Sequence, residues 1–283
     1  MELPAFRSVY GVDFSGARAA GRNLWVARCR PREEPPLLEV TELHRLEALC
    51  GTAERAACLA FLVGMVVGST NALWGIDAPL GLPVELFPPG ATWADQLAFL
   101  TEWDDAAACG RECVRRARRI GDRMHLRRRT DTAARTTFDS YHYRIVYQMF
   151  HGMRDVAKPL SEAAGTAVLP FQYDRLAEAE RVVVETCPGS VLKALGLPHQ
   201  NYKQPAGGPL TAKRRQTRRA ILDGLTGLVR IDERQRRTIM RDPGGDALDA
   251  VLAAVGALRG MRAADHTAIA QHDRYPREGY LYI

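Results

Sequence analysis

Residues 72–77 read Ala-Leu-Trp-Gly-Ile-Asp, an apolar run that ends in one carboxylate and is stopped by Pro79. Its length and apolar character predict a buried strand. The residues before it, 53–67, are so densely apolar that they predict a helix covered on most sides. A helix that leads into a buried strand in this way implies a right-handed crossover between two parallel strands. The stretch therefore predicts an α/β fold.

Further strands and helices extend this core in both directions along the chain. Strands are predicted over 8–14, 24–29, about 37–43, 72–77 and 181–186. Helices are predicted over 53–67, 103–120, 190–195, 211–240 and from 246 to about 258. The first three strands have short links and form a meander. We predict one domain over 1–283, with an arginine-rich helical insertion at about 84–180 between the fourth and fifth core strands.

The composition is that of a globular protein. With 46% hydrophobic and 25% charged residues among 283, the chain can bury a core without a disulfide or metal, which excludes disorder as the main state. The longest apolar run, 58–68, is half a membrane span, and residues 1–4 lack the order of a signal peptide. We therefore expect a soluble, cytoplasmic protein that binds no membrane. Its six cysteines lack the paired doublets of a zinc site and are expected to be reduced thiols.

The net charge of +6 is unevenly distributed. Residues 111–129 hold nine arginines against two acids, and residues 213–241 hold ten basic residues against three acids. Two basic segments on an acidic remainder are typical of a protein that binds a polyanion, so we expect DNA or RNA as a partner. The residues expected to contact its backbone are Arg115, Arg118, Arg128, Arg129, Lys193, Lys203, Arg214 and Arg215. For Lys193 and Lys203 a solvated surface position is an equal alternative. Of the consecutive arginines 127–129, one or two are expected to contact phosphate and the others to be solvated or paired with acids.

Acidic side chains stand where the predicted strands end. Asp13 ends the first strand, Asp77 the fourth and Glu185 the last, while Asp246 and Asp249 share one face in the first turns of the final helix. Buried carboxylates are costly unless a cation compensates their charge. If the five acids meet, they form an oxygen-ligand site for Mg²⁺ or Mn²⁺, with two ions expected. For Asp246 alone, a helix-capping role is an equal alternative.

Three aromatic residues recur at helical spacing inside the insertion, namely Tyr143, Tyr147 and Phe150. Such a stripe can stack on unpaired bases or pack into a core. The core interpretation is favoured, because apolar stripes at this spacing are more often buried.

Six short motifs together resemble one known family. They read Gly-Val-Asp-Phe-Ser-Gly-Ala at 11–17, Gly-Ile-Asp-Ala-Pro-Leu-Gly-Leu-Pro at 75–83, Arg-Thr-Asp at 129–131, Tyr-Arg-Ile-Val-Tyr-Gln at 143–148, Glu-Thr-Cys-Pro-Gly-Ser at 185–190 and Asp-Ala-Leu-Asp-Ala at 246–250. In order and spacing they look like the DUF429 family of predicted RNase H-like nucleases. The resemblance spans nearly the whole chain. It implies a ribonuclease H-like fold, which is a mixed five-stranded sheet flanked by helices.

The final motif carries a second resemblance. Its Asp-x-x-Asp-Ala pattern is similar to that of Holliday-junction resolvases in the same superfamily, which implies that Asp246 and Asp249 are both associated with metal. Resolvase-like enzymes often pair, so the resemblance leaves a homodimer open. This sequence differs from many ribonucleases of the superfamily at Asp77, where those enzymes have Glu. Its shorter side chain would draw a metal ion closer to the strand.

These features predict a metal-dependent nuclease that hydrolyses phosphodiester bonds by a two-metal-ion mechanism. Its catalytic and metal-binding residues would be Asp13, Asp77, Glu185, Asp246 and Asp249. One alternative is a phosphotransferase of the actin-like or sugar-kinase type, because residues 13–16, Asp-Phe-Ser-Gly, loosely fit a phosphate-binding turn. The second phosphate loop and the adenosine-binding glycine pair of that class are not found. The other alternative is a non-catalytic nucleic-acid-binding protein whose acids bind structural ions.

Overall fold

The computed structural model describes residues 3–204 and 207–283, which form one seven-stranded mixed sheet. The strands are β1 (Ser8–Asp13), β2 (Trp25–Pro31), β3 (Leu38–Arg45), β4 (Ala72–Asp77), β5 (Thr166–Leu169), β6 (Arg181–Glu185) and β7 (Val229–Arg230). Their order across the sheet is β5-β6-β4-β1-β2-β3-β7. The predicted α/β fold is confirmed, whereas the predicted number of five strands is wrong.

The two additional strands lie at the edges of the sheet and are short. β5 has four residues and falls inside the segment 84–180, which was predicted to be helical. β7 has two residues and interrupts the predicted helical region 211–240. Runs of this length contain too few residues to show a period of two, so hydrophobic patterning does not detect them.

Pairing in the centre of the sheet follows the predicted meander and crossover. β2 pairs antiparallel with both β1 and β3, and β4 pairs parallel with β1. In the β1–β4 pair, Gly11 is the partner of Gly75, and Asp13 is the partner of Asp77. The remaining pairs, β4–β6, β5–β6 and β3–β7, are parallel. The parallel register therefore places the two aspartates side by side at one edge of the sheet.

Helices cover both faces of the sheet. The longer ones are α1 (Arg55–Val67), α2 (Trp93–Thr101), α3 (Ala106–Ile120), α4 (Ala212–Gly224), α5 (Glu233–Arg241) and α6 (Asp246–Ala263). Shorter helical segments are Ala20–Asn23, Leu46–Cys50, Val84–Leu86, Arg129–Ala133, Val146–His151, Gly152–Ala157, Lys158–Glu162, Tyr173–Glu178, Pro188–Ala194, His266–Gln271 and Tyr275–Glu278. α1 packs on the face that carries Val12 and Ile76, and α6 packs on the face that carries Val9 and Leu73.

Two glycines let α6 lie unusually close to the sheet. A Cβ atom at Gly11 would stand 2.0 Å from the Ala250 carbonyl oxygen, and one at Gly75 would stand 2.6 Å from the Ala253 carbonyl oxygen. The helix backbone therefore occupies the space that side chains would fill at these positions. Because residues i and i+2 of a strand share a face, Asp13 and Asp77 point to the same side as these glycines, towards α6.

The aromatic stripe of the insertion is only partly in the core. Phe150 is buried, as predicted. Tyr143 is 69% exposed and Tyr147 is 44% exposed, so the core interpretation is wrong for these two residues.

Among the helices of residues 3–204 and 207–283, none combines the length and the apolar character that crossing a membrane requires.

Candidate functional site

Three aspartates meet where β1, β4 and α6 come together. Asp13 and Asp77 end neighbouring strands, and Asp249 lies in the first turn of α6. One carboxylate oxygen from each lies within 4.8 Å of the other two. Asp13 is 7% exposed and Asp249 is 2% exposed, while Asp77 is partly buried. Three oxygen ligands at this spacing could hold a metal ion, and carboxylate oxygens suit Mg²⁺ or Mn²⁺.

The electrostatics of this cluster call for a cation. Burial raises the pKa of Asp13 well above its usual range, and the carboxylates of Asp249, Asp246 and Asp77 add to that rise. Burial also raises the pKa of Asp77 to about 8, with Asp249 as the next largest cause. Three like charges in a poorly solvated place repel one another unless protons or a cation neutralise them. The residues present therefore fit a divalent ion.

Lys203 supplies one positive charge to the cluster. Its ammonium forms an ion pair with Asp249 and lies 4.0 Å from an oxygen of Asp246. Burial alone would lower the pKa of Lys203, but the charges of Asp249 and Asp13 raise it well above its usual range, so the ammonium stays protonated. Tyr202 donates a hydrogen bond of 2.9 Å to the other oxygen of Asp249. Lys203 was predicted to contact nucleic acid, and the structure places it among the acids.

Asp246 lies one turn before Asp249, at the margin of the cluster. Burial raises its pKa to about 6, with Lys203 acting in the opposite direction. It is not one of the three aspartates whose oxygens meet. The capping alternative also fails for this residue, because Gly245 is the N-cap and the Asp242 carboxylate accepts the Ala247 N–H at 3.0 Å. Asp246 is thus free to act on Lys203 or on a bound ion.

The structure does not bring Glu185 to the three aspartates. β6 pairs with β4 so that Glu185 is the partner of Ile76. The side chain of Glu185 therefore points to the same face as Ile76 and to the opposite face from Asp77. Arg128 donates to its two oxygens at 2.7 and 2.5 Å, and the Leu80 N–H donates to it at 2.9 Å. Burial raises the pKa of Glu185, and the Arg128 charge opposes that rise. Glu185 is thus held by an arginine and a backbone amide.

Arg128 requires a correction of the same kind. It was predicted to contact phosphate, but it is 1% exposed and also donates to the Asp131 carboxylate at 2.8 Å. With its guanidinium committed to two buried carboxylates, it is an interior ion-pair partner. Pairing of some of Arg127, Arg128 and Arg129 with acids was an expectation from the sequence, but three consecutive arginines look alike until the fold decides which one turns inward.

The other predicted phosphate contacts differ in how free their side chains are. Arg115 is paired with Glu112 at 2.6 and 2.7 Å, and Lys193 donates to the Arg135 carbonyl oxygen at 2.6 Å. Arg214 donates to Gln204 at 2.9 Å and lines the same cavity as Asp77 and Asp249. The remaining three, which are exposed, are Arg118, Arg129 and Arg215.

A cavity of about 510 Å³ opens beside the cluster. Asp77, Asp249, Lys203 and Arg214 lie in its wall, so it carries both acids and cations. Ser140 is a further wall residue that the sequence did not single out, and its hydroxyl is buried with no hydrogen-bond partner among the described residues. A buried polar atom without a partner is costly and is therefore available to a bound molecule.

Comparison with known proteins places this site in a family. The model of the family described as Protein of unknown function (DUF429) matches residues 11–273. The chain belongs to this family. The DUF429 match includes all three clustered aspartates and Lys203. No curated protein and no solved structure matched the chain.

Proposed function

We propose that this DUF429 protein is a metal-dependent nuclease with a ribonuclease H-like core. The observation that carries the proposal is the meeting of three carboxylate oxygens, within 4.8 Å of one another, beside a cavity whose wall also holds the cationic side chains of Lys203 and Arg214. Divalent ions held by such acids act on phosphodiester bonds, and basic residues beside them attract the negatively charged backbone of nucleic acid.

The sheet supports the ribonuclease H-like part of the proposal. Its five central strands run β3-β2-β1-β4-β6, with an antiparallel meander on one side of β1 and parallel strands on the other. This is the arrangement that the motif resemblance implies. β5 and β7 extend it by one short strand at each edge.

The residues divide the work of hydrolysis. When bound, divalent ions stabilise the charge that develops on phosphate and activate water. Asp13, Asp77 and Asp249 hold the ion, and Tyr202 fixes the orientation of Asp249 through its hydrogen bond. Arg214, in the cavity wall, binds a phosphate oxygen of the substrate.

The number of ions depends on Lys203. The three clustered oxygens could hold one ion, and Lys203 is paired with Asp249 and lies 4.0 Å from Asp246, the two acids that would have to help hold a second. A second ion held by these two acids would therefore compete with the Lys203 ammonium for the Asp249 carboxylate. With a single ion bound, Lys203 would itself provide the second positive charge in the cavity wall.

The experiment is cleavage of a substrate panel (single strand, duplex, RNA–DNA hybrid and four-way junction) with Mg²⁺ or Mn²⁺. We expect the wild type to cut at least one member, and Asp13→Asn to lower the rate by at least about 100-fold, a loss typical of removing one electrostatic group from an active site. Asp104→Asn, which changes an exposed aspartate outside the cluster, is the matched control and should cut normally. Undiminished cutting by Asp13→Asn would refute the site.

The structure weighs against the phosphotransferase alternative. A Cβ atom at Gly16 would stand 2.2 Å from the Tyr147 carbonyl oxygen, so helix 146–151 covers the turn after β1 that would have to receive phosphate. The non-catalytic alternative makes a different prediction in the same experiment. It predicts salt-sensitive binding of nucleic acid without cleavage of any panel member.

A further inference from the structure

An aromatic surface lies next to the acid-lined cavity. It consists of Phe138, His142, Tyr143 and Tyr147, together with the guanidinium groups of Arg111 and Arg144, and is called the aromatic surface below. Its two tyrosines are exposed, at 69% and 44%. Large exposed aromatic rings are unusual on a surface that contacts only water, and they mark binding sites.

The rings of this surface are ordered by contacts among themselves. Phe138 and His142 stack with centroids 4.5 Å apart, and the His142 and Tyr143 centroids are 4.4 Å apart. Arg144 donates to the Tyr143 hydroxyl at 3.2 Å and lies 5.7 Å from the Phe138 ring centroid. The rings of Phe138, His142 and Tyr143 are thus held in place before any ligand arrives, which lowers the entropy lost on binding.

A second cavity, of about 320 Å³, opens at this surface. Tyr143, Val146 and Tyr147 line one side of it, and Gly110 and Arg111 of α3 line the other. Its wall is mainly apolar and includes one arginine, Arg111. A flat aromatic ring attached to an anion matches such a wall, and a nucleotide has both parts.

The aromatic surface and the acid-lined cavity are lined by parts of one chain segment. Phe138, Ile145 and Gln148 face the larger cavity, while Tyr143 and Tyr147, from the same short segment, face the smaller one. Gln148 donates to the Phe14 carbonyl oxygen at 2.8 Å, which fixes the segment beside the end of β1. The segment that carries the tyrosines therefore also borders the cavity beside the aspartates.

We propose that the aromatic surface stacks the unpaired bases of single-stranded nucleic acid and guides that strand into the acid-lined cavity. The proposal rests on the proposed nuclease function and names its substrate class. Bases in a duplex are stacked on one another and cannot present their faces to tyrosine, whereas every unpaired base can. Arg111 in the wall of the smaller cavity, with the exposed Arg115 and Arg118 farther along α3, favours a polyanion over a protein partner.

The test measures binding without catalysis. Fluorescence anisotropy in EDTA, at one fixed salt concentration, compares single-stranded DNA, single-stranded RNA and duplex DNA of about 12 nucleotides. We expect the double variant Tyr143→Ala/Tyr147→Ala to lose about 10-fold or more in single-strand affinity, since each stacked base is worth about 1–3 kcal/mol. Its duplex affinity should stay within about two-fold of wild type. The DNA and RNA arms identify which strand binds more tightly.

A matched variant separates stacking from hydrogen bonding. Tyr143→Phe/Tyr147→Phe keeps both rings and should keep single-strand affinity within about two-fold of wild type. Thermal unfolding of Tyr143→Ala alone guards against misfolding, since its ring is mostly exposed and its removal should leave the fold unchanged.

The possible outcomes are distinct from those of the cleavage experiment. Equal losses for single strand and duplex, or no loss for either, would overturn the aromatic proposal, and the second result would favour a protein partner for these rings. Selective loss of single-strand binding supports it even if the wild type cuts no substrate, in which case the nuclease proposal fails alone. If the wild type cuts a substrate and the tyrosine variant cuts it equally well, the nuclease proposal stands and the aromatic proposal fails.

Discussion

Substituting Gly11 by alanine tests whether the close approach of α6 builds the site. The added Cβ atom would stand 2.0 Å from the Ala250 carbonyl oxygen and 2.3 Å from the Ala254 nitrogen. Both are backbone atoms of a regular helix, so neither can rotate away. α6 must retreat by about 1 Å or more to relieve the contact, and overpacking of this kind typically costs about 1–3 kcal/mol of unfolding free energy.

The same displacement should weaken metal binding. Asp249 moves with α6, while Asp13 and Asp77 stay with the sheet, and ligand distances in metal sites tolerate only about 0.2 Å. We therefore expect Gly11→Ala to lower Mn²⁺ affinity at least about 10-fold, measured by isothermal titration calorimetry, although Gly11 is no ligand. Urea unfolding gives the stability change.

Alanine substitutions at two further glycines should give smaller effects than Gly11→Ala. Gly75→Ala makes a milder contact, 2.6 Å from the Ala253 carbonyl oxygen, and should have a smaller effect on both measurements. At Gly64, within α1, a Cβ atom would meet nothing within 4 Å. Gly64→Ala should therefore stabilise the protein by about 0.5–1 kcal/mol, through higher helix propensity, and leave Mn²⁺ affinity unchanged. If Gly11→Ala binds Mn²⁺ as tightly as Gly64→Ala, the helix approach does not build the site.

Two other predictions concern charge. Burial raises the pKa of Asp77 from 3.8 to about 8, so between these pH values the folded state keeps a proton that the unfolded state has released. The unfolding free energy in EDTA should therefore fall as pH rises through this window, by at most about 1.4 kcal/mol per pH unit. Urea titrations from pH 5 to 8 should show this slope, Asp77→Asn should flatten it, and a wild-type slope of the opposite sign that Asp77→Asn leaves unchanged would contradict the assignment. Arg128→Met leaves Glu185 and Asp131 buried without their partner and should lower the unfolding free energy by about 3–5 kcal/mol in the same urea titration. The double variant Arg128→Met/Glu185→Gln should recover part of this loss. A loss below about 1 kcal/mol would show that the buried ion pairs contribute little to stability.

The central strands could be predicted from sequence because each one is a buried apolar run that ends in a recognisable residue. β4 was predicted with its bounds, and β1 and β6 within one residue. The edge strands β5 and β7 could not be predicted, since their position is fixed by pairing with a neighbour and their own four and two residues carry no period. Local pattern thus determines the centre of this sheet and tertiary contact determines its edges.

The site was only partly predictable, and Glu185 shows why. Its position at a strand end was recognised from sequence, but the face on which it lies depends on the register of β6 against β4, and a shift of one residue reverses that face. Lys203 and Arg128 show the same limit for cations. The sequence marks both as basic residues, and only the fold decides that one joins the aspartates and the other a buried carboxylate pair.

The repeated Gly-x-Asp of β1 and β4 connects folding to chemistry through a single spacing. Residues two apart on a strand share a face, so a helix close enough to touch Gly11 and Gly75 must also pass over Asp13 and Asp77. Asp249 lies one turn before Ala253, the α6 residue that contacts Gly75, and its carboxylate therefore meets those of Asp13 and Asp77. It follows that residues far from any ligand atom fall into two groups. Changes beneath α6 should alter stability and metal affinity together, whereas changes at Arg128, which pairs with Glu185 and Asp131 and not with the three clustered aspartates, should alter mainly stability.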